Sequence, residues 1–164
     1  MARVVVVMGV AGSGKTTVAE LLAAHLEVPY AEADDFHPPA NIAKMSAGHP
    51  LTDEDRWPWL RAIAEWIKEH AAAGGGVVTC SALKRSYRDL LREGSSEVWF
   101  VHLAGTHELL ADRIGHRKGH FMPPALLDSQ FADLQPLASD EPGVTLDVAH
   151  SPEELAQAAI ASLT

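Results

Sequence analysis

The chain has 164 residues, 47% hydrophobic and 21% charged, which suits one globular domain around one core. Its net charge of −9 argues against nucleic acid as the main partner, and no apolar run approaches the roughly 20 residues a membrane helix needs. The lone cysteine, Cys80, excludes an internal disulfide framework and fits a reducing cytoplasm.

In chain order the pattern alternates between strand and helix. Arg3–Met8 is an apolar run that predicts a buried strand, and it runs straight into glycine-rich sequence without a signal-peptide cleavage pattern. Val18, Leu21, Leu22 and Leu26 recur at helical spacing and predict a helix over about 14–27. A short strand follows at Pro29–Glu32, ending in Asp34-Asp35. Residues 36–56 mix prolines, Gly48 and polar residues and read as a short helix plus loop. Pro58 marks the start of a long helix through Trp59, Leu60, Ile63 and Ile67 to about Ala73, closed by Gly74-Gly75-Gly76. Val77–Cys80 is a third strand, Tyr87–Arg92 a helix, and Val98–Leu103 a fourth strand. Thr106 caps a helix through Ile114, residues 115–122 form a basic loop, and a helix spans about Pro124–Leu134. Val144–Val148 is a fifth strand, and Ser151, Pro152 and Glu154 form the start of a final helix. Such alternation predicts a parallel sheet with helices on both faces and ligands at the C-terminal strand ends.

The chemistry begins at Gly9-Val10-Ala11-Gly12-Ser13-Gly14-Lys15-Thr16, a G-x-x-x-x-G-K-[ST] run between the first strand and helix. Its glycines let backbone N–H groups, with those of Thr17 and the helix start, surround phosphates. Lys15 can then reach the β- and γ-phosphates of a nucleotide, and Thr16 can place its hydroxyl on Mg²⁺. Asp34, with Asp35 as second choice, is positioned to take the proton of an acceptor hydroxyl; either can instead hold Mg²⁺ through water, or simply cap a helix. Arg56 can clamp an acceptor carboxylate, or pair with Asp53 or Asp55 at the surface. Arg113, His116, Arg117, Lys118 and His120 lie in a glycine-flanked basic stretch, about 113–123, that reads as a lid bringing positive charge over the transferred group. His116 and His120 lack a nearby third metal ligand. An N-K-x-D base-reading motif is absent, against a GTPase.

Together these segments resemble the gluconate kinases, small P-loop enzymes. The matching stretches are Gly9–Thr16, Ala33–Pro38 with Asn41 and Lys44-Met45, Gly48 with Pro50–Asp53, Asp55-Arg56 and Pro58–Leu60. They continue with Cys80–Lys84, Tyr87–Asp89, Phe100–Leu103, Gly119–Met122 and Ser129–Phe131. The resemblance covers nearly the whole chain. It implies an α/β fold like nucleoside-monophosphate and shikimate kinases, with a five-stranded parallel sheet, as a single domain over 1–164 with a substrate-binding insertion at about 36–72. It also implies transfer of the ATP γ-phosphoryl group to the 6-hydroxyl of D-gluconate with Mg²⁺, and a homodimer. On that reading Lys15, Asp34 and Arg117 are catalytic, and Arg113 joins Arg117 on the nucleotide. Asp34, His37, Lys44, His49, Arg56, Ser81, Lys84, Arg85 and His120 face the substrate. Two departures stand out. The first position of the relatives' Asp-x-Asp is Glu32, and no Walker-B aspartate follows the third strand, so Thr16 and water are expected to hold most of the metal. The alternatives are a kinase of another small acceptor, such as shikimate or a nucleoside, and a nucleotide-dependent switch.

Overall fold

Val4–Met8 forms the central strand, β1, and all five residues are buried. A strand buried on both faces needs apolar residues at every position, not alternate ones. Period two then splits them: Val5 and Val7 join one core, and Val4, Val6 and Met8 join the other. The computed structural model describes residues 2–10, 12–49, 51–115 and 124–163.

The remaining strands are β2 (Tyr30–Glu32), β3 (Gly76–Thr79), β4 (Val98–Ala104) and β5 (Gly143–Asp147). They pair in parallel in the order β2-β3-β1-β4-β5, with Val6 opposite Val78 on one side and Phe100 on the other. The helices are α1 (Lys15–Leu26), α2 (Pro39–Ser46), α3 (Asp53–Ala72), α4 (Arg85–Arg92), α5 (His107–Gly115), α6 (Pro124–Asp133) and α7 (Pro152–Ser162). α1 and α7 cover the Val5/Val7 face through Leu22, Ala23, Leu155 and Ala159. α3 and α4 cover the other face through Leu60, Ile63, Ile67 and Leu91. Among the described residues no helix is long and apolar enough to cross a membrane.

The main departure from the sequence reading is the start of α3. Pro58 lies inside the helix rather than at its start, and the helix begins five residues earlier at Asp53. Thr52 and Asp55 form a reciprocal capping box: Asp55 N–H donates to Thr52 Oγ1 at 3.2 Å, and Thr52 N–H to Asp55 Oδ2 at 2.8 Å. Those bonds hold an N-terminal turn that Pro58, which has no N–H, cannot itself support. Smaller shifts place Gly76 at the start of β3, with Cys80 just beyond its end, and begin α4 at Arg85. The Ser151/Glu154 capping box and Pro152 occur at the start of α7 as expected.

His102, on β4 between Met8 and Thr145, is 2% exposed, and its Nδ1 has no hydrogen-bond partner. Burial, helped by the nearby Arg88 charge, pushes its pKa down to about 4. The unfolded chain therefore binds a proton at this site that the folded chain refuses between about pH 6.5 and 4. Stability falls as pH drops through that window, by about 3 kcal/mol from this group. A thermal-unfolding series from pH 7 to 4 is expected to show the loss, with a shallower slope in His102→Asn. An unchanged slope in the variant would assign the acid sensitivity to the carboxylates alone.

Candidate active site

The turn after β1 is built for close approach. A Cβ on Gly9 would lie 2.7 Å from Leu103 O and 2.9 Å from Ser13 Oγ, so only glycine fits. Gly14, at φ 87, caps α1 in the left-handed region and supplies no side chain to the first helical N–H groups. Gly12, Gly14, Lys15, Thr16 and Thr17 line a cleft of about 1010 Å³, and those N–H groups with the helix dipole favour an anion there. Ser13 is buried within the turn, and Ala11 lies outside the described residues. Lys15 Nζ donates to Gly9 O at 3.0 Å and Val10 O at 3.1 Å, which folds the ammonium over the loop.

The carboxylates come from the end of β2, across β3 from the loop. Glu32 is held by three hydroxyls. Thr16 Oγ1 donates to its Oε1 at 2.8 Å, Thr79 Oγ1 to its Oε2 at 2.5 Å, and the Tyr30 hydroxyl also donates to it. Thr79 stands near where a Walker-B aspartate is sought, and it serves Glu32 on the neighbouring strand instead. The expected metal contact of Thr16 thus gains a carboxylate partner. Thr16, Glu32 and Asp34 all line the cleft and offer only hard oxygen donors. That set fits Mg²⁺, which takes one or two carboxylates with water and phosphate oxygens rather than a full protein cage.

Asp34 and Asp35 sit on a single 3₁₀ turn, Ala33–Phe36, and both line the cleft. The Asp34 side chain is 93% exposed. The turn is anchored by Trp59, whose Nε1–H donates to Ala33 O at 2.7 Å. His37 stacks on Trp59 with ring centres 4.4 Å apart, and its Nε2 lies 4.0 Å from Asp34 Oδ1. Burial lowers the His37 pKa, opposed by the Asp34 charge and reinforced by Arg56. Trp59 both packs in the core and borders the cleft.

The cleft is also lined by Cys80, Ser81, Asp112, Arg113 and Gln130. Arg113 Nη2 donates to Val148 O at 2.6 Å, which ties the end of α5 to the loop after β5. Burial raises the Cys80 thiol to about 12, which keeps it protonated and unreactive. Arg117, His120 and the rest of the lid expectation from 116 to 123 lie outside the described residues.

The cations expected to face an acceptor form a separate group beside the cleft, and each has a carboxylate partner. Lys44 Nζ is 2.6 Å from Asp55 Oδ2, and this bond is the main reason the Asp55 pKa is lowered to about 2. Lys84 Nζ is 3.3 Å from Asp53 Oδ1. Arg56 Nη1 donates to the Tyr87 hydroxyl at 2.8 Å and lies 3.8 Å from Asp53 Oδ1, while Tyr87 donates to Asp53 at 2.5 Å. An acceptor carboxylate must compete with Asp53 and Asp55 for these groups. His49 is exposed on the loop after α2. Arg85, at the start of α4, forms a two-pronged bond to Asp140, at 2.9 and 2.6 Å, and is not among the residues lining the cleft. Asp53 and Tyr87 were not singled out as site residues. Asp53 had a local signal in its three-residue spacing from Arg56, but Tyr87 meets them only through the fold.

A model of the shikimate kinase family matches residues 11–164. The gluconokinase of Gluconobacter oxydans (strain 621H) is 51% identical over 152 residues, covering 92% of this chain and 85% of that protein. The chain is also similar to the solved structure of an unliganded sugar kinase from Janibacter sp. HTCC2649, with a TM-score of 0.93 and 54% identity over 99% of this chain and 95% of that one. A gluconokinase from Sinorhizobium meliloti 1021 matches with a TM-score of 0.90 and 48% identity, covering 98% and 91% of the two chains.

Proposed function

The chain belongs to the gluconokinases within the shikimate kinase family of P-loop kinases, and we propose on that premise that it transfers the γ-phosphoryl group of ATP to the 6-hydroxyl of D-gluconate. The observation that carries the reading is that Lys15, Thr16 and Asp34 line one cleft, so donor loop and base open onto the same space. The ATP triphosphate lies on the backbone N–H groups of 12–17. Asp34 takes the proton of the acceptor hydroxyl as that oxygen bonds to phosphorus and the bond to ADP breaks. Lys15 and Arg113 face the charge on the transferred group, joined by Arg117 from the lid. Thr16 and Glu32 would hold Mg²⁺, with Asp34 through water. When bound, the ion offsets phosphate charge. Arg56 grips the gluconate carboxylate, with Lys44 and Lys84 beside it, while His49, Ser81 and His120 bond its hydroxyls. Arg85, committed to Asp140, has no part in this reading. The reading includes a homodimer working in the cytoplasm.

The test is ADP release with D-gluconate, shikimate and nucleosides as acceptors. Gluconate alone is expected to stimulate it strongly, because a site built to bond hydroxyls rejects acceptors that leave those groups unpaired. A hydrogen bond to a charged group contributes about 1.5–3 kcal/mol. In the same assay Arg56→Ala is therefore expected to raise the gluconate KM roughly ten- to hundredfold. An unchanged KM would place the carboxylate clamp elsewhere. ATP binding without acceptor-stimulated release would favour a nucleotide-dependent switch.

A further inference from the structure

Asn41 is buried on α2 at 4% exposure and has no role in the chemistry above. Its Nδ2 donates to the main-chain oxygen of Asp55 at 2.9 Å. That bond fixes the orientation of the amide, since the reversed one would set two carbonyl oxygens against each other. The same NH₂ group lies 3.4 Å from Nδ1 of His37. An amide nitrogen donates and does not accept, so Nδ1 is the ring nitrogen without a proton. The ring's one N–H is then Nε2, the atom that faces Asp34. The ring is also confined. Its side chain is 6% exposed, and it stacks nearly parallel to Trp59, with 11° between the planes. Trp59 is in turn bonded to Ala33, the residue before Asp34.

The geometry points to His37 as a positioning residue for the base: Asn41 sets its tautomer so that Nε2–H holds one carboxylate oxygen of Asp34, leaving the other for the acceptor hydroxyl. The present separation of 4.0 Å is closed by a turn of the exposed Asp34 side chain, which nothing packs in place. Unheld, that carboxylate is free to swing, and a misplacement of about 1 Å in a reacting group costs on the order of a hundredfold in rate. The inference replaces direct acceptor contact as the role of His37. It rests on the reading of Asp34 as the base.

The test compares His37→Phe, which keeps a ring on Trp59 but no N–H, with His37→Gln, which keeps an N–H near the Nε2 position, and with Asn41→Asp, which draws the ring proton to Nδ1. Melting temperatures establish that each variant is folded. His37→Phe and Asn41→Asp are expected to lower kcat roughly ten- to hundredfold, with the gluconate KM within about twofold, and His37→Gln to regain most of the loss. ¹⁵N NMR of the wild-type imidazole is expected to show the proton on Nε2. In an Asp34→Asn background, adding His37→Phe is expected to cost less than about twofold further, because the two residues act as one unit. The proposal is overturned by a His37→Phe variant with wild-type kcat, by a loss confined to the gluconate KM, by losses that multiply in the double variant, or by a proton on Nδ1. If Asp34→Asn alone keeps its kcat, the base reading fails, while the NMR result still reports on the tautomer separately.

Discussion

Asp34→Asn is expected to lower kcat about a thousandfold while the ATP KM and the melting temperature stay close to wild type. A positioned general base contributes about 10²–10⁴. Phosphoryl transfer through a loose transition state puts much of that into orienting the acceptor, so the middle of the range is the expectation. The fold is spared because the Asp34 side chain is almost wholly exposed and the turn beneath it is held by Trp59 and Ala33 instead. The substitution is nearly isosteric, and among the described residues Asp34 makes no bond to the phosphate loop that it would break. Asp35→Asn is the control on the same turn, since Asp35 also lines the cleft. A metal role for Asp34 would read out differently, as a higher magnesium requirement with kcat recovered at saturating metal. Near wild-type kcat in Asp34→Asn with a collapse in Asp35→Asn would move the base by one residue.

The donor half of this site was legible because its parts are contiguous. Gly9–Thr16 leads directly from the end of β1 into the first turn of α1, so the motif needs no pairing across the fold. The order of strands and helices was legible for a similar reason, since each element shows its own period. What could not be read were pairings made by the fold. Glu32 looked like a departure from a metal-binding pattern, yet it gathers the hydroxyls of Thr16 and Thr79, residues 63 positions apart in sequence but on adjoining elements. Lys84 and Asp53 meet across 31 residues, and Tyr87 and Asp53 across 34. The start of α3 was misplaced for a local reason. Pro58 is a familiar first-turn residue, and it outweighed the Thr52-x-x-Asp55 capping signal six residues before it. The contacts of His37 are likewise made by the fold, since nothing in sequence links its ring to the Asp55 carbonyl that Asn41 spans to.

Arg88→Met is expected to give the largest loss of stability. Arg88 and Glu141 both have fully buried side chains, with Nε donating to Oε2 at 2.6 Å and Nη2 to Oε1 at 2.9 Å. Burial pushes the Glu141 pKa up, but the Arg88 bonds and the Ala138 N–H hold it below the usual carboxylate value. Its contribution is therefore present above the ordinary glutamate range and lost as pH falls through the lower folded value. Removing one partner leaves the other charge buried without it, which costs about 3–5 kcal/mol. For a chain of this size that lowers the melting temperature by roughly 10–15 °C. Deleting both charges usually restores much of such a loss. Here Arg88→Met/Glu141→Leu is expected to restore only part of it, because Arg88 also donates to the carbonyls of Ala82, Leu83 and Pro136. Ala82 is in the left-handed region at φ 45, a conformation an alanine keeps only when its surroundings hold it. That turn carries Ser81 on the cleft side and Lys84 on the acceptor side, so the double variant is expected to stay folded yet bind gluconate more weakly. Thermal unfolding and gluconate KM measured on the same preparations separate the two roles. Full recovery of both would mean that water satisfies those carbonyls and that Arg88 serves only its ion pair.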